Sequence, residues 1–178
     1  LIDHAINDAV RMQKLLKGLL SYARINNKQQ KMSNVNINKV LKDVKKSITF
    51  LIQQKKAQIT YPKAKTLPTI KGFEGLIHQL FQNLITNAIK FCPADRQPNI
   101  DITYQNTEHE HLFMIKDNGI GIEEAYKQKI FDLFTRLNDK QTYEGSGLGL
   151  GICRRIVEKH GGHITVYSKG LNLSLIHI

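Results

Sequence analysis

Residues 78–91 read HQLFQNLITNAIKF, an apolar helix that carries two asparagines and a lysine on one side. At about 100° per residue, Asn83, Asn87 and Lys90 fall on one narrow stripe, while Ile77, Leu80, Phe81, Leu84, Ile85 and Ala88 fill the neighbouring face. Asparagine is disfavoured inside helices, so its repetition at this spacing needs a reason. Its amide oxygen can ligate a hard cation such as Mg²⁺, and a lysine one turn on is a point charge for phosphate. A solvated helix face bordering a core is the other reading of the same stripe. The helix is predicted from Phe73 to Phe91, ending ahead of Pro93.

Working outward, Ala5, Ala9, Met12, Leu16, Leu19 and Ala23 alternate at spacings of four and three, the seam of a coiled coil or helical bundle. The polar stretch NNKQQKMSN then breaks all periodicity and predicts a boundary near residues 26–33. A short strand at 35–37 precedes a helix over 38–56 with Val40, Leu41, Val44, Ile48, Leu51 and Ile52 inward. AQITY and LPTIKG read as two strands separated by a proline-containing turn. NIDITYQN and EHLFMIKDN alternate as an antiparallel pair, EEAYKQKIFDLF gives one or two short helices, and a helix over 148–160 closes at Gly161-Gly162. HITVYS is a further strand, and the last eight residues alternate enough to pass for one. Helices interleaved with an antiparallel hairpin predict an α+β layer of helices on one mixed sheet.

Composition narrows the class. The 178 residues are 41% hydrophobic and 23% charged, ordinary for one globular domain with a small extra element. No run approaches the ~18 apolar residues of a membrane span, and no signal peptide opens the chain. Cys92 and Cys153 have no cysteine or histidine at metal-ligand spacing, so reduced thiols are expected. Twenty-six Lys and Arg against 15 Asp and Glu give +11, enough to attract nucleotide phosphates or acidic partners. Pairs such as Lys45-Lys46 and Lys55-Lys56 lack the aromatic interleaving that stacks bases, so no nucleic-acid partner is expected.

Three further motifs carry chemistry. Asp117 in DNGIGI follows a strand and precedes two glycines, presenting a carboxylate where backbone can approach a ligand; an Asx turn is the plainer account. Such a carboxylate can accept the exocyclic amino hydrogen of adenine. GSGLGL, Gly145 to Leu150, sets bare amides before a helix start that could cradle phosphate, or serve as a hinge. No Lys and Ser/Thr pair follows, so it is not a GxxxxGK[ST] phosphate loop. In IFDLFTRL, Phe131 and Phe134 are expected to anchor a loop base in the core, and Arg136 to open the polar loop.

In this order the four motifs resemble the catalytic domain of sensor histidine kinases of two-component systems, in the ATPase superfamily that also holds DNA gyrase and the mismatch-repair ATPases. HQLFQNLITNAIKF looks like the family's N box, DNGIGI its first glycine box, IFDLFTRL its F box and GSGLGLGICRRIVEKHGGHI its second glycine box. The resemblance covers nearly the whole chain. It implies the Bergerat ATP-binding fold, a two-layer α/β sandwich with a left-handed crossover and helices on one face of a mixed sheet. It implies ATP and Mg²⁺ as cofactors, with Asn87 on the metal, Asn83 beside it and Lys90 on the phosphates. Asp117 would read adenine, Gly119 and Gly121 would admit the base, and Phe91 and Ile122 would line its pocket. Arg136 and the loop through Gly145, Ser146, Gly147, Leu148 and Gly149 would form a lid over the triphosphate. Asn83, Lys90 and Arg136 would be the catalytic set.

By the same resemblance, residues 1–26 are the second helix of a truncated dimerisation and phosphotransfer hairpin, 27–33 a linker, 34–170 the ATP-binding domain and 171–178 a truncated or non-native tail. The expected partners are a response regulator receiver domain and a second copy of the intact protein. A cytoplasmic domain is implied, of a protein whose intact form can be anchored in the inner membrane. The acceptor histidine of that family sits on the first hairpin helix in a context that none of the seven histidines here has. Transfer of the γ-phosphoryl would therefore go to a histidine on a missing helix, for relay to a regulator aspartate. A gyrase-like ATPase is the alternative enzyme, but its water-activating glutamate is replaced by Asn83, and no carboxylate lies between Glu74 and Asp95. A nucleotide-binding scaffold without transfer activity is the third reading.

Overall fold

The computed structural model describes residues 2–25, 31–62, 67–108, 110–135, 146–168 and 172–177. Five helices and seven strands occur among them: α1 Ile2–Ile25, β1 Ser33–Asn36, α2 Ile37–Ser47, α3 Thr49–Lys55, β2 Gln58–Thr60, β3 Thr69–Gly72, α4 Glu74–Lys90, β4 Asn99–Asn106, β5 His111–Asp117, α5 Gly149–Lys159, β6 His163–Ser168 and β7 Asn172–His177. Two 3₁₀ turns, Glu124–Tyr126 and Lys129–Phe131, occupy the stretch read as one or two short helices.

The main sheet runs β2-β4-β5-β7-β6, with β2 parallel to β4 and every other pair antiparallel. The antiparallel β4–β5 pair is as the alternation predicts, with Ile102 opposite Ile115 and Tyr104 opposite Phe113. Ile100, Ile102, Phe113, Ile115 and Ile176 join Leu80, Phe81, Ile85, Ile89, Ile152, Ile156 and Val157 in one core between sheet and helices. Phe81 meets Phe113 edge to face at 5.7 Å, joining α4 to β5. Each such fully buried side chain contributes roughly 1.5–3 kcal/mol of transfer free energy, so α4, with eight buried positions, is the spine of the domain. This is the α+β sandwich that the sequence implied.

The local elements are those expected, with one change, in the second helix. AQITY and LPTIKG supply the two strands expected of them, in different sheets: β2 pairs with β4, while β3 pairs with β1 in a separate two-stranded sheet. The helix predicted over 38–56 breaks at Ile48, where Ser47 Oγ donates to the Val44 carbonyl and Thr49 Oγ1 to those of Lys45 and Lys46. Hydroxyls that bond back onto the preceding turn compete with the helix ladder and bend it. Residues 172–177 form β7, the strand their alternation suggested, placed between β5 and β6.

α1 has two working faces. Leu15 and Tyr22 pack against the core and Ile25 is fully buried, while Met12, Leu16 and Leu19 of the predicted seam point to solvent. Gly18 lies so close to Leu148 that a Cβ there would collide with its Cδ1. No helix among the described residues is long and apolar enough to cross a membrane.

Candidate nucleotide-binding site

α4 and α5 lie antiparallel, which follows from three ties along their length. Asn83 Nδ2 donates to the Gly149 carbonyl at 3.3 Å, Cys153 Sγ faces the Leu80 carbonyl at 3.9 Å, and the Phe73 N–H donates to His160 at 3.1 Å. This packing sets the start of α5 against the asparagine stripe. A Cβ on Gly149 would stand 3.6 Å from Asn87 Nδ2 and 4.0 Å from its Oδ1, so the glycine leaves a cradle beside that amide. The first turn of α5 contains no acidic residue and Leu148 provides no side-chain cap, so the amides there form a positive helix end. Leu148 N–H reaches Ser146 Oγ at 3.4 Å, and Gly147 sits at φ 71°, a left-handed geometry that suits glycine.

The second wall comes from the end of β5. Asp117 is half-buried, and one carboxylate oxygen accepts the Gly119 N–H at 2.8 Å. The turn then docks on the end of α4, because the Ile120 N–H donates to the Phe91 carbonyl at 3.0 Å. Gly119 is required by this approach: a Cβ there would lie 2.8 Å from Asp117 Oδ1 and 3.0 Å from the Phe91 oxygen. Gly121 takes φ 84°, and Ile122 follows half-buried. Lys90 Nζ lies over the Phe91 ring at 4.3 Å, so its stem follows the aromatic face while its charge stays at the end of the stripe.

One residue here escaped the sequence reading. Asn118 Oδ1 accepts the Asn99 N–H at 2.8 Å and faces Cys92 Sγ at 3.6 Å. Its Nδ2 donates to the Gln97 carbonyl at 2.9 Å, and its own carbonyl accepts from Arg96 at 3.3 Å. It joins the segment after α4 to the turn that holds Asp117. The signal was an asparagine directly before glycine, a residue that habitually bonds neighbouring backbone.

Phe134 and Gly147, which flank the segment containing Arg136, are in contact. The Phe134 N–H donates to the Gly147 carbonyl at 3.0 Å, and a Cβ on Gly147 would meet the Phe134 carbon and the Thr135 oxygen at 2.9 Å. Arg136 and Gly145 themselves lie outside the described residues. The pair of anchoring phenylalanines is corrected: Phe131 is buried, but Phe134 is 55% exposed, at φ 66°. The left-handed turn at Phe134 aims its amide at Gly147 and its ring outward, and Leu133 supplies the inward contact against Gly151.

Among the ionisable groups, burial pushes the Cys153 thiol up to about 12, opposed by a hydrogen bond with Asn83. Cys92 is also raised, first by burial. Both cysteines are free. At the other end of the sheet, Glu110, His163 and His177 place their ligand atoms within 4.8 Å of one another. The two imidazoles stack at 3.9 Å with planes 13° apart, so their lone pairs run in parallel planes instead of converging on one ion.

A mixed sheet layered on one face with α2, α4 and α5, and an asparagine stripe set against a glycine-led helix start, define the class of ATP-binding α/β sandwiches. The chain belongs to the histidine kinase-, DNA gyrase B- and HSP90-like ATPase family, whose model matches residues 72–174. It thus contains an ATP-binding domain. It is 36% identical to cyanobacterial phytochrome A of a Nostoc species over 168 residues, 94% of this chain and 21% of that protein. It is also 36% identical to the adaptive-response sensory kinase SasA of a Synechocystis species over 124 residues, 70% of this chain and 32% of the kinase. The chain therefore spans between a fifth and a third of these relatives. Histidine kinase ThkA, solved in complex with response regulator protein TrrA, shares the fold with a TM-score of 0.76 at 22% identity, over 99% of this chain and 49% of that one.

Proposed function

We propose that this chain is the ATP-binding catalytic part of a sensor histidine kinase, which transfers the γ-phosphoryl group of Mg-ATP to a histidine on a helix outside this chain, for relay to a response-regulator aspartate. The observation that carries this reading is the cradle between the Asn87 amide and the start of α5, walled by the Asp117 turn docked on Phe91. Asp117 accepts the adenine amino hydrogen, oriented by its bond from the Gly119 amide. Gly119 and Gly121 leave room for the base, and Phe91 and Ile122 cover its faces. The α5 amides and Lys90 receive phosphate oxygens, and the loop through Arg136, Gly145, Ser146, Gly147 and Leu148 closes over them.

The Asn87 oxygen at the open cradle fits a hard divalent cation, with Asn83 next to it on the stripe. When bound, Mg²⁺ neutralises charge on the β- and γ-phosphates. The protein's own part is positioning: Asn83 fixes α5 through Gly149, and Lys90 and Arg136 stabilise charge on the moving phosphoryl group. No carboxylate lies on α4 beyond Glu74 to activate water, which favours transfer over hydrolysis. A response regulator receiver domain is the partner this chemistry calls for, as in the ThkA–TrrA complex. The outward seam of α1 supports pairing with a second copy in the intact protein, cytoplasmic in this part.

Calorimetric titration with Mg-ATP tests the reading. Wild type should bind in the micromolar to millimolar range and Asp117→Ala should lose binding by more than about tenfold. A folded wild-type chain that takes up no nucleotide refutes it.

A further inference from the structure

The antiparallel α4–α5 pair is held at one end beside the nucleotide cradle, by Asn83 and Gly149, and at the other by His160. His160 follows the last turn of α5, and its ring makes two bonds of opposite sense. Nδ1 lies 2.7 Å from the Ile156 carbonyl, which can only accept, so Nδ1 carries the proton. Nε2 lies 3.1 Å from the Phe73 N–H, which can only donate, so Nε2 must be a lone pair. Both partners are backbone groups and cannot change role. The ring is thereby fixed as one neutral tautomer.

Its surroundings are built for close approach. Phe73 is the N-cap of α4 and provides no side-chain cap, and its ring meets the imidazole edge to face at 5.4 Å. A Cβ on Gly72 would lie 2.9 Å from Nε2 and 2.6 Å from Ile77, so the strand end admits the ring only as glycine. The charged groups around it are few. Lys159, the preceding residue, lies over the Phe73 ring at 4.5 Å and donates to the Ile25 carbonyl at the end of α1. Lys71 is exposed on β3, and Glu74 at the start of α4 is bound to Lys39 at 2.8 Å. Glu158 is held by Arg154 and Arg155. Among the described residues no carboxylate favours a protonated ring. Burial, and then the neighbouring Lys159 charge, hold its titration below the ordinary histidine value, against the pull of the Ile156 carbonyl.

We propose that His160 is a positioning residue, a neutral clasp that fixes α5 against α4 and so keeps the Gly149–Asn87 cradle assembled, and that acid pH opens it by setting an N–H against the Phe73 N–H. The clasp stands on geometry alone; its effect on nucleotide rests on the function proposed above. The sign follows from linkage. An unfolded histidine takes up a proton near pH 6.5 and the folded one only below that, so the clasp's contribution is complete above about 6.5 and is lost as pH falls toward the folded value. One proton limits the change to about tenfold in the unfolding constant per pH unit.

The test compares the full chain with His160→Gln, whose amide oxygen can accept the Phe73 N–H but does not titrate. Urea unfolding constants and Mg-ATP affinities are measured from about pH 7.5 to about pH 5.5. Wild type should lose stability and affinity relative to the variant across this range, and the two should match at the upper end. Parallel stability profiles overturn the clasp. Diverging stability with parallel affinity profiles overturns its link to the cradle. No nucleotide binding by either protein at any pH defeats the functional reading, and with it the link to the cradle, and leaves the stability profiles to decide the clasp. Should His160→Gln not fold, the wild-type ring titrated by NMR decides: a midpoint at or above the ordinary value overturns the proposal.

Discussion

Replacing Asn118 by alanine removes two well-formed hydrogen bonds, from the Asn99 N–H at 2.8 Å and to the Gln97 carbonyl at 2.9 Å. Both lie near water, so each contributes about 1 kcal/mol net and the pair about 2 kcal/mol. The contact from Cys92 at 3.6 Å adds little, and the bond from Arg96 goes to backbone and survives. For a chain of this size, 2 kcal/mol lowers Tm by roughly 4–8 °C. Asn118→Asp separates the two bonds. The carboxylate keeps an acceptor for Asn99 but sets an oxygen against the Gln97 carbonyl, so near neutrality it should be no more stable than the alanine variant. Below about pH 4 the protonated carboxyl can donate to Gln97, and the aspartate variant should then overtake alanine at the same pH. Urea unfolding of both variants at each pH reads the result. An alanine variant within about 0.5 kcal/mol of wild type refutes the account of Asn118 as a tie. So does an aspartate variant that is the more stable of the two at neutral pH.

Gly149→Ala places a methyl 3.6 Å from Asn87 Nδ2, an ordinary contact, so Tm should hold or rise while Mg-ATP affinity drops at least about tenfold by calorimetry. Unchanged affinity would show that phosphate does not sit in that cradle. Gly151→Ala is the opposite case: its methyl would lie 2.7 Å from Leu133 and 3.1 Å from the Phe131 carbonyl, costing about 1–3 kcal/mol in urea unfolding. Cys153, buried and raised to about 12, should resist thiol reagents at neutral pH and react on unfolding; rapid labelling of the folded chain at Cys153 contradicts the packing of α4 on α5.

The elements that bear motifs were legible because their signals are local. α4 shows a 3.6-residue period with eight buried apolar positions, and β4 and β5 alternate strictly enough to read as an antiparallel pair. What was not legible depends on partners distant in sequence. Nothing in AQITY says that β2 will lie beside β4 while β3 turns to β1, because an extended segment's partner is chosen by tertiary packing. The break at Ile48 was half-visible, in two hydroxyl residues flanking one isoleucine. Phe134 misled because hydrophobicity does not report a left-handed backbone. His160 is, in sequence, only the last position of the helix predicted over 148–160; its partner amide is 87 positions away.

β6 is hydrogen-bonded to β7 and to no other described strand, and β7 is the last strand among the described residues. While the protein is being synthesised, β5 therefore waits with one edge bare and β6 waits with no neighbour until residues 172–177 emerge. A nascent chain in that interval presents two ready templates for intermolecular pairing. Residues 172–177 thus cover both bare edges at once, and a change that weakens β7 would leave β5 and β6 exposed together.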